Sequence, residues 1–102
     1  MEQILKENRE LWDLFEMISL LRDRDEAARF FRDLCTPREL EAMAERLEVA
    51  GLLREGFSYR KISEMTGAST TTVTRIAHWC KHGEGGYQTM LQRGKRTSKN
   101  AD

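Results

Sequence analysis

The sequence is short of the residues that break or staple a chain. Its one proline, Pro37, leaves long stretches with nothing to interrupt a helix, and few runs favour strands, so the chain reads as all-α. Only two cysteines are present, Cys35 and Cys80, with no CxxC pair. That excludes a secreted disulfide framework and points to free thiols in a reducing cytoplasm. No run approaches the roughly 18 apolar residues that a membrane helix needs. The first residues, MEQILKENRELWDLF, are charged from the second position and read as neither a signal nor a transit peptide. There is no glycine-rich phosphate loop, nucleophile elbow or HExxH. The carboxylates are spread along helices, where solvation accounts for them, so neither an enzyme nor a cofactor is expected. Net charge is also missing: 17 Lys and Arg balance 17 Asp and Glu, which at first speaks against a nucleic-acid partner.

The hydrophobic fraction of 39% and the charged fraction of 33% depart from the usual ~45–50% and ~25%. Such a balance suits long helices with charged faces, or a subunit that completes its core across an interface. Leu11, Leu14, Phe15, Ile18 and Leu21 recur every three or four residues and predict a helix over roughly 3–21, with Trp12 and Met17 widening its stripe. Residues 22–25 are a polar break, and a short helix follows with Ala27, Phe30, Phe31 and Leu34 on one face. Thr36-Pro37-Arg38-Glu39 is a capping box with proline at the first helical position. It opens a helix over about 37–55, with Leu40, Met43, Ala44, Leu47, Ala50 and Leu53 or Leu52 expected inward. Gly56 stands where a left-handed stop would be.

Residues 58–82 carry the functional signal. Ser58 caps one short helix, Gly67 supplies a turn, and Ser69 or Thr70 caps a second helix three residues later: a helix-turn-helix. Ile62, Ser63, Ala68, Val73 and Ile76 occupy the places where the two helices must pack closely. Ser69, Thr70, Thr71 and Thr72 form the first turn of the second helix, followed by Thr74 and Arg75. Hydroxyls and free amides at a helix N-terminus suit phosphate, and threonine can meet a base edge or a thymine methyl. Arg60 and Lys61 are candidate phosphate ligands, with Lys81 beyond them, and Ser58 and Ser69 can add DNA contacts to their capping. No Arg, Asn or Gln stands in that first turn for a bidentate base contact, so readout leans on shape, water and threonine. His78, Cys80 and His82 alternate, but only His78 and His82 share a helix face, which is too few ligands for a zinc site. Residues 86–92 can form closing turns. Residues 93–102 lack apolar periodicity and are expected to be a disordered basic tail.

Thr36-Pro37, then Leu53-Arg54-Glu55-Gly56-Phe57-Ser58, then Gly67-Ala68-Ser69 with Thr72-Val73-Thr74-Arg75 resemble the Trp repressor superfamily. With His82-Gly83-Glu84-Gly85-Gly86-Tyr87 added, the pattern is similar to its bacterial YerC/YecD-type branch. The resemblance covers roughly residues 10–92. It implies an intertwined helical homodimer, with residues 1–55 as dimerisation scaffold, that presents two recognition helices to successive major grooves. By the same resemblance Thr36, Arg46 and Arg75 match the threonine and two arginines of a tryptophan pocket. The small residues that make room for the indole and amino group are Ile76 and Trp79 here, so free tryptophan is not the expected effector and these side chains are expected to fill the slot.

The expectation is therefore a cytoplasmic, homodimeric regulator that binds double-stranded DNA, in one domain over residues 1–92, with no cofactor or metal and no membrane partner. The alternative is a protein-interaction module of helix-turn-helix shape that does not bind DNA. The zero charge supports the first reading once it is divided. Residues 1–55 hold nine Lys/Arg against fourteen Asp/Glu, and residues 56–102 hold eight against three. The half with the helix-turn-helix is the basic one.

Overall fold

A computed structural model describes the backbone of residues 3–101 and the side chains of residues 5–94. Seven α-helices and no strand occur among the described residues: α1 (Gln3–Glu7), α2 (Arg9–Ser19), α3 (Arg24–Leu34), α4 (Pro37–Arg54), α5 (Tyr59–Thr66), α6 (Thr70–His82) and α7 (Gly86–Ala101). The chain divides at Leu40 into two units.

In the first unit, side-chain caps set the helix boundaries. The single helix expected over 3–21 is two helices, because Asn8 leaves helical geometry and its side chain accepts from the Leu11 amide at 3.0 Å. An asparagine side chain competes for backbone amides and favours a cap over a helix interior. Trp12 bridges the interruption by donating its indole N–H to the Lys6 carbonyl at 3.1 Å, and packs edge-on against Phe15. The polar break at 22–25 is itself a cap: Asp23 accepts from the Glu26 amide at 2.8 Å, and the Glu26 carboxylate accepts from the Arg22 amide at 2.9 Å. No residue of α2 or α3 is buried. Trp12, Phe15, Met17, Leu20 and Leu34 are 40% to 62% exposed.

The expected capping box is present. The Glu39 amide donates to Thr36 Oγ1 at 3.2 Å, and the Thr36 amide donates to Glu39 Oε1 at 2.8 Å. Hydrogen bonds from the Thr36 backbone amide, and to a lesser extent from the Thr36 hydroxyl, hold the Glu39 carboxyl below its ordinary value.

The second unit holds the core. Val49 and Ala50 of α4, Ile62 of α5, and Ala68, Val73 and Ile76 around α6 cluster together, with Leu52, Leu53, Cys80, Tyr87 and Leu91 packed against them. Ile62, Ala68, Val73 and Ile76 are buried as their spacing predicts, and Ser63 is half-buried. Burying one such branched side chain contributes about 2 kcal/mol. The stripe expected along α4 is only partly covered. Ala50 is buried and Leu52 and Leu53 are half-buried, whereas Met43 and Leu47 remain 39% and 50% exposed and Ala44 is also exposed. Periodicity selects the apolar face but does not say what lies opposite it, and the core reaches only the last turns of α4. Val49, outside the expected stripe, is completely buried.

The closing segment also differs from expectation. Instead of turns over 86–92 and a disordered tail from 93, α7 runs from Gly86 to Ala101. Residues 93–101 contain no proline to stop a helix, and Gly94, Thr97, Ser98 and Asn100 only weaken its propensity. Arg54 donates to the Gln92 side chain and Gln88 donates to the Cys80 carbonyl, tying α7 to α4 and α6. Among the described residues, no helix is long and apolar enough to cross a membrane.

The capping box has a pH signature. The folded Glu39 binds its proton less tightly than the unfolded chain does, so its contribution to stability is complete above the ordinary value of 4.5 and is lost as pH falls through the lowered one. Titrating Glu39 by NMR should give a lowered value in the native chain and one shifted partway back toward the ordinary value in Thr36→Val, which loses the hydroxyl but keeps the backbone amide; equal values in both would contradict the hydroxyl's part in the cap.

Candidate nucleic-acid interface

Ser58 and Ser69 leave the linkers with nearly identical extended backbones and cap α5 and α6, accepting from the Lys61 and Thr72 amides at 3.1 Å each. Between the helices, Gly67 adopts φ +80° and its amide donates to the Ser63 carbonyl at 2.9 Å. A side chain at this φ would cost roughly 1–2 kcal/mol. The turn is fastened further by side chains. Ser63 Oγ donates to the Ala68 carbonyl at 2.5 Å, and Thr66 Oγ1 donates to the Ile62 carbonyl at 2.8 Å while accepting from the Ala68 amide at 3.1 Å. Ser63 is therefore required for its hydroxyl as well as its small size, a role that spacing alone does not reveal.

The hydroxyls at the start of α6 divide into two kinds. Ser69 Oγ accepts from the Thr72 amide and donates to Thr72 Oγ1 at 3.0 Å, and Thr74 Oγ1 donates to the Thr70 carbonyl at 2.8 Å. These three side chains first serve the helix. Thr70 and Thr71 are exposed, and their amides precede the first intrahelical bond, which runs from Val73 to Ser69. Arg75 is exposed on the next turn. On α5, Arg60 and Lys61 are exposed, and Arg60 Nε lies 3.6 Å from Glu64 Oε1. A phosphate must compete with that carboxylate, although an exposed pair at this separation is weak. The i, i+4 spacing of Arg60 and Glu64 carried this signal in the sequence.

Neither α5 nor α6 has an acidic residue in its first turn, whereas α2, α3 and α4 carry Glu10, Asp25 with Glu26, and Glu39 there. The partial positive charge at the N-terminus of α6 is thus left without a carboxylate of its own turn.

Of the residues matched to a tryptophan pocket, Arg46 and Arg75 line one cavity of about 500 Å³, whose walls also include Glu45, Ile76, Trp79 and Tyr87. Thr36 lies in the first unit, occupied by its capping box. Ile76 and Trp79 do not fill the space: Ile76 is only 5% exposed and joins the core, and Trp79 is 56% exposed. Glu45 lines the same cavity, so a carboxylate shares its wall with the two guanidinium groups. Burial and the nearby Cys80 raise the Tyr87 phenol, opposed by Arg46. The His78 and His82 rings lie with centroids 4.9 Å apart and planes tilted by 43°, and burial raises the Cys80 thiol. Among the described residues, no three His, Cys, Asp or Glu side chains converge as a metal site would need.

This arrangement has close counterparts. Residues 9–95 match the Trp repressor protein family. The uncharacterized protein YerC of Bacillus subtilis (strain 168) is 47% identical over 89 residues, spanning 87% of this chain and 86% of that one. The crystal structure of a TrpR like protein from Eubacterium eligens ATCC 27750 is similar with a TM-score of 0.83 and 39% identity, covering 90% of this chain and 94% of the other. A solved structure from Staphylococcus aureus gives a TM-score of 0.83 and 35% identity over 93% of this chain and 96% of its own. With the family match extending across both units and over the helix-turn-helix, the chain belongs to the Trp repressor family.

Proposed function

We propose that this protein is a homodimeric, cytoplasmic transcription regulator that binds double-stranded DNA by placing the first turn of α6 in the major groove. The observation that carries the reading is the acid-free start of α6, where Thr70 and Thr71 are exposed beside uncommitted amides. Phosphate oxygens meet amide donors and the positive end of the helix there, and the threonines meet base edges. Ser69, Thr72 and Thr74 fix the geometry of that turn, and Arg75 extends it. Ser58, Arg60 and Lys61 hold the register through phosphates. The basic balance of residues 56–102 supports this orientation, and the acidic residues 1–55 limit non-specific attachment.

The scaffold supports self-association. Large apolar side chains along α2, α3 and the first half of α4 remain exposed, which a second copy of the chain would cover. Family membership supports the same assembly. Free tryptophan is not the effector in this reading, because Glu45 puts a carboxylate into the wall of the cavity where an amino acid's own carboxylate would meet Arg46 and Arg75.

Replacing Thr71 and Thr74 together by aspartate should weaken duplex binding by about 100-fold, since like charges set against phosphate cost several kcal/mol. Helical content and oligomeric state should not change. The native affinity should fall steeply as salt rises, as phosphate contacts require. Native-like binding by the double variant would refute the docking; salt-insensitive association would favour a protein-interaction module instead.

A further inference from the structure

A second cavity, of about 340 Å³, lies between the end of α4, the segment leading into α5, the later turns of α6, and α7. It shares only Tyr87 with the cavity around Arg46 and Arg75. Leu53, Ala77 and Leu91 give it an apolar floor, and Phe57, Tyr59 and Tyr87 give it three aromatic rings. Phe57 and Tyr59 are 39% and 40% exposed, so ring surface remains for an occupant. Two cations, Arg54 and Lys81, also line it, and among the described residues no aspartate or glutamate does. The other cavity differs here, since Glu45 accompanies its arginines. Gln88 is already engaged with the Cys80 carbonyl, and Arg54 spends one nitrogen on Gln92. A guanidinium has five N–H donors, so most of its capacity is left.

Apolar walls with rings select a hydrophobic body, and cations without a local carboxylate select an anionic head. A space of 340 Å³ equals the share of about eleven waters at ~30 Å³ each, which suits an acid of roughly a dozen non-hydrogen atoms. The geometry points to a binding site for a small amphipathic carboxylate, its head held by Arg54 and Lys81 and its aromatic or aliphatic body laid against Phe57, Tyr59 and Tyr87. Binding there does not depend on the DNA-binding reading. If that reading holds, the occupant braces Gly56 and Phe57, which carry the chain into α5, and so sits where it can alter how α5 and α6 are presented.

Cys80 lines the same cavity and reports on its occupancy. In the full chain carrying Cys35→Ser, Cys80 is the remaining thiol. Its alkylation by iodoacetamide, run at alkaline pH because burial raises the thiol, is measured against increasing 4-phenylbutyrate or its neutral analogue 4-phenylbutyramide. The acid should slow alkylation saturably, and the amide should bind at least about tenfold more weakly, the worth of one charge-assisted hydrogen bond. Arg54→Gln and Lys81→Gln, both at exposed positions, should each lose affinity for the acid by a similar factor while keeping the native helical spectrum. No slowing by phenylbutyrate, equal affinity for acid and amide, or native affinity in either folded variant would overturn the proposal. None of these readouts uses DNA, so failure of this site and failure of the DNA-binding reading are separately visible.

Discussion

The aim of α6 depends on the contact that closes α5 onto it. Ile62 and Val73 are completely buried on the two sides of the turn, and Val49 of α4, also completely buried, joins them in one small cluster. That cluster can close only because Gly67 takes a left-handed conformation and Ser63 and Thr66 satisfy the polar groups of the turn. A buried cluster this small has little redundancy. Loss of one branched side chain would leave a cavity that neighbours could not refill, and α6 would lose its fixed bearing before the other helices lost their form.

A functional division of charge is mounted on this joint. Serine caps both helices of the motif, so neither brings a carboxylate to its own N-terminus. Helices α3 and α4 do the opposite, with Asp23, Glu26 and Glu39 serving as caps or capping partners. Carboxylates stabilise helix starts in water but would repel phosphate at an interface. The choice of cap thus separates α3 and α4, which only need to be stable, from α5 and α6, whose ends are proposed to meet a polyanion. The same preference appears in the total charge, where an acidic first half and a basic second half cancel to zero.

Local chemistry was legible in the sequence, and long-range chemistry was not. The Thr36–Glu39 box, the Ser58 and Ser69 caps, Gly67 and the buried set from Ile62 to Ile76 are decided within a few residues, and each stands where its spacing placed it. Asn8 and Asp23 were equally local signals, hidden inside charged runs in which any residue could have been solvated. The apolar spacing of α4 identified a face but not its cover, which is why Met43 and Leu47 were expected inward and stand exposed. The pairing of Arg46 with Arg75 followed from resemblance, yet the open space beside Ile76 and Trp79 and the intrusion of Glu45 depend on how three helices pack. The cavity around Arg54, Phe57 and Cys80 draws on four segments and had no signature in any one of them.

The central claim, that the start of α6 is the DNA-reading edge, is tested most directly by NMR titration of the full chain with a duplex. Amide shifts should be largest at Thr70 to Arg75, with smaller changes at Arg60 and Lys61 and none across α2 and α3. If Thr70 to Thr74 stay unmoved while shifts gather on the scaffold or around exposed Trp79 and Met90, the motif is not the reading edge.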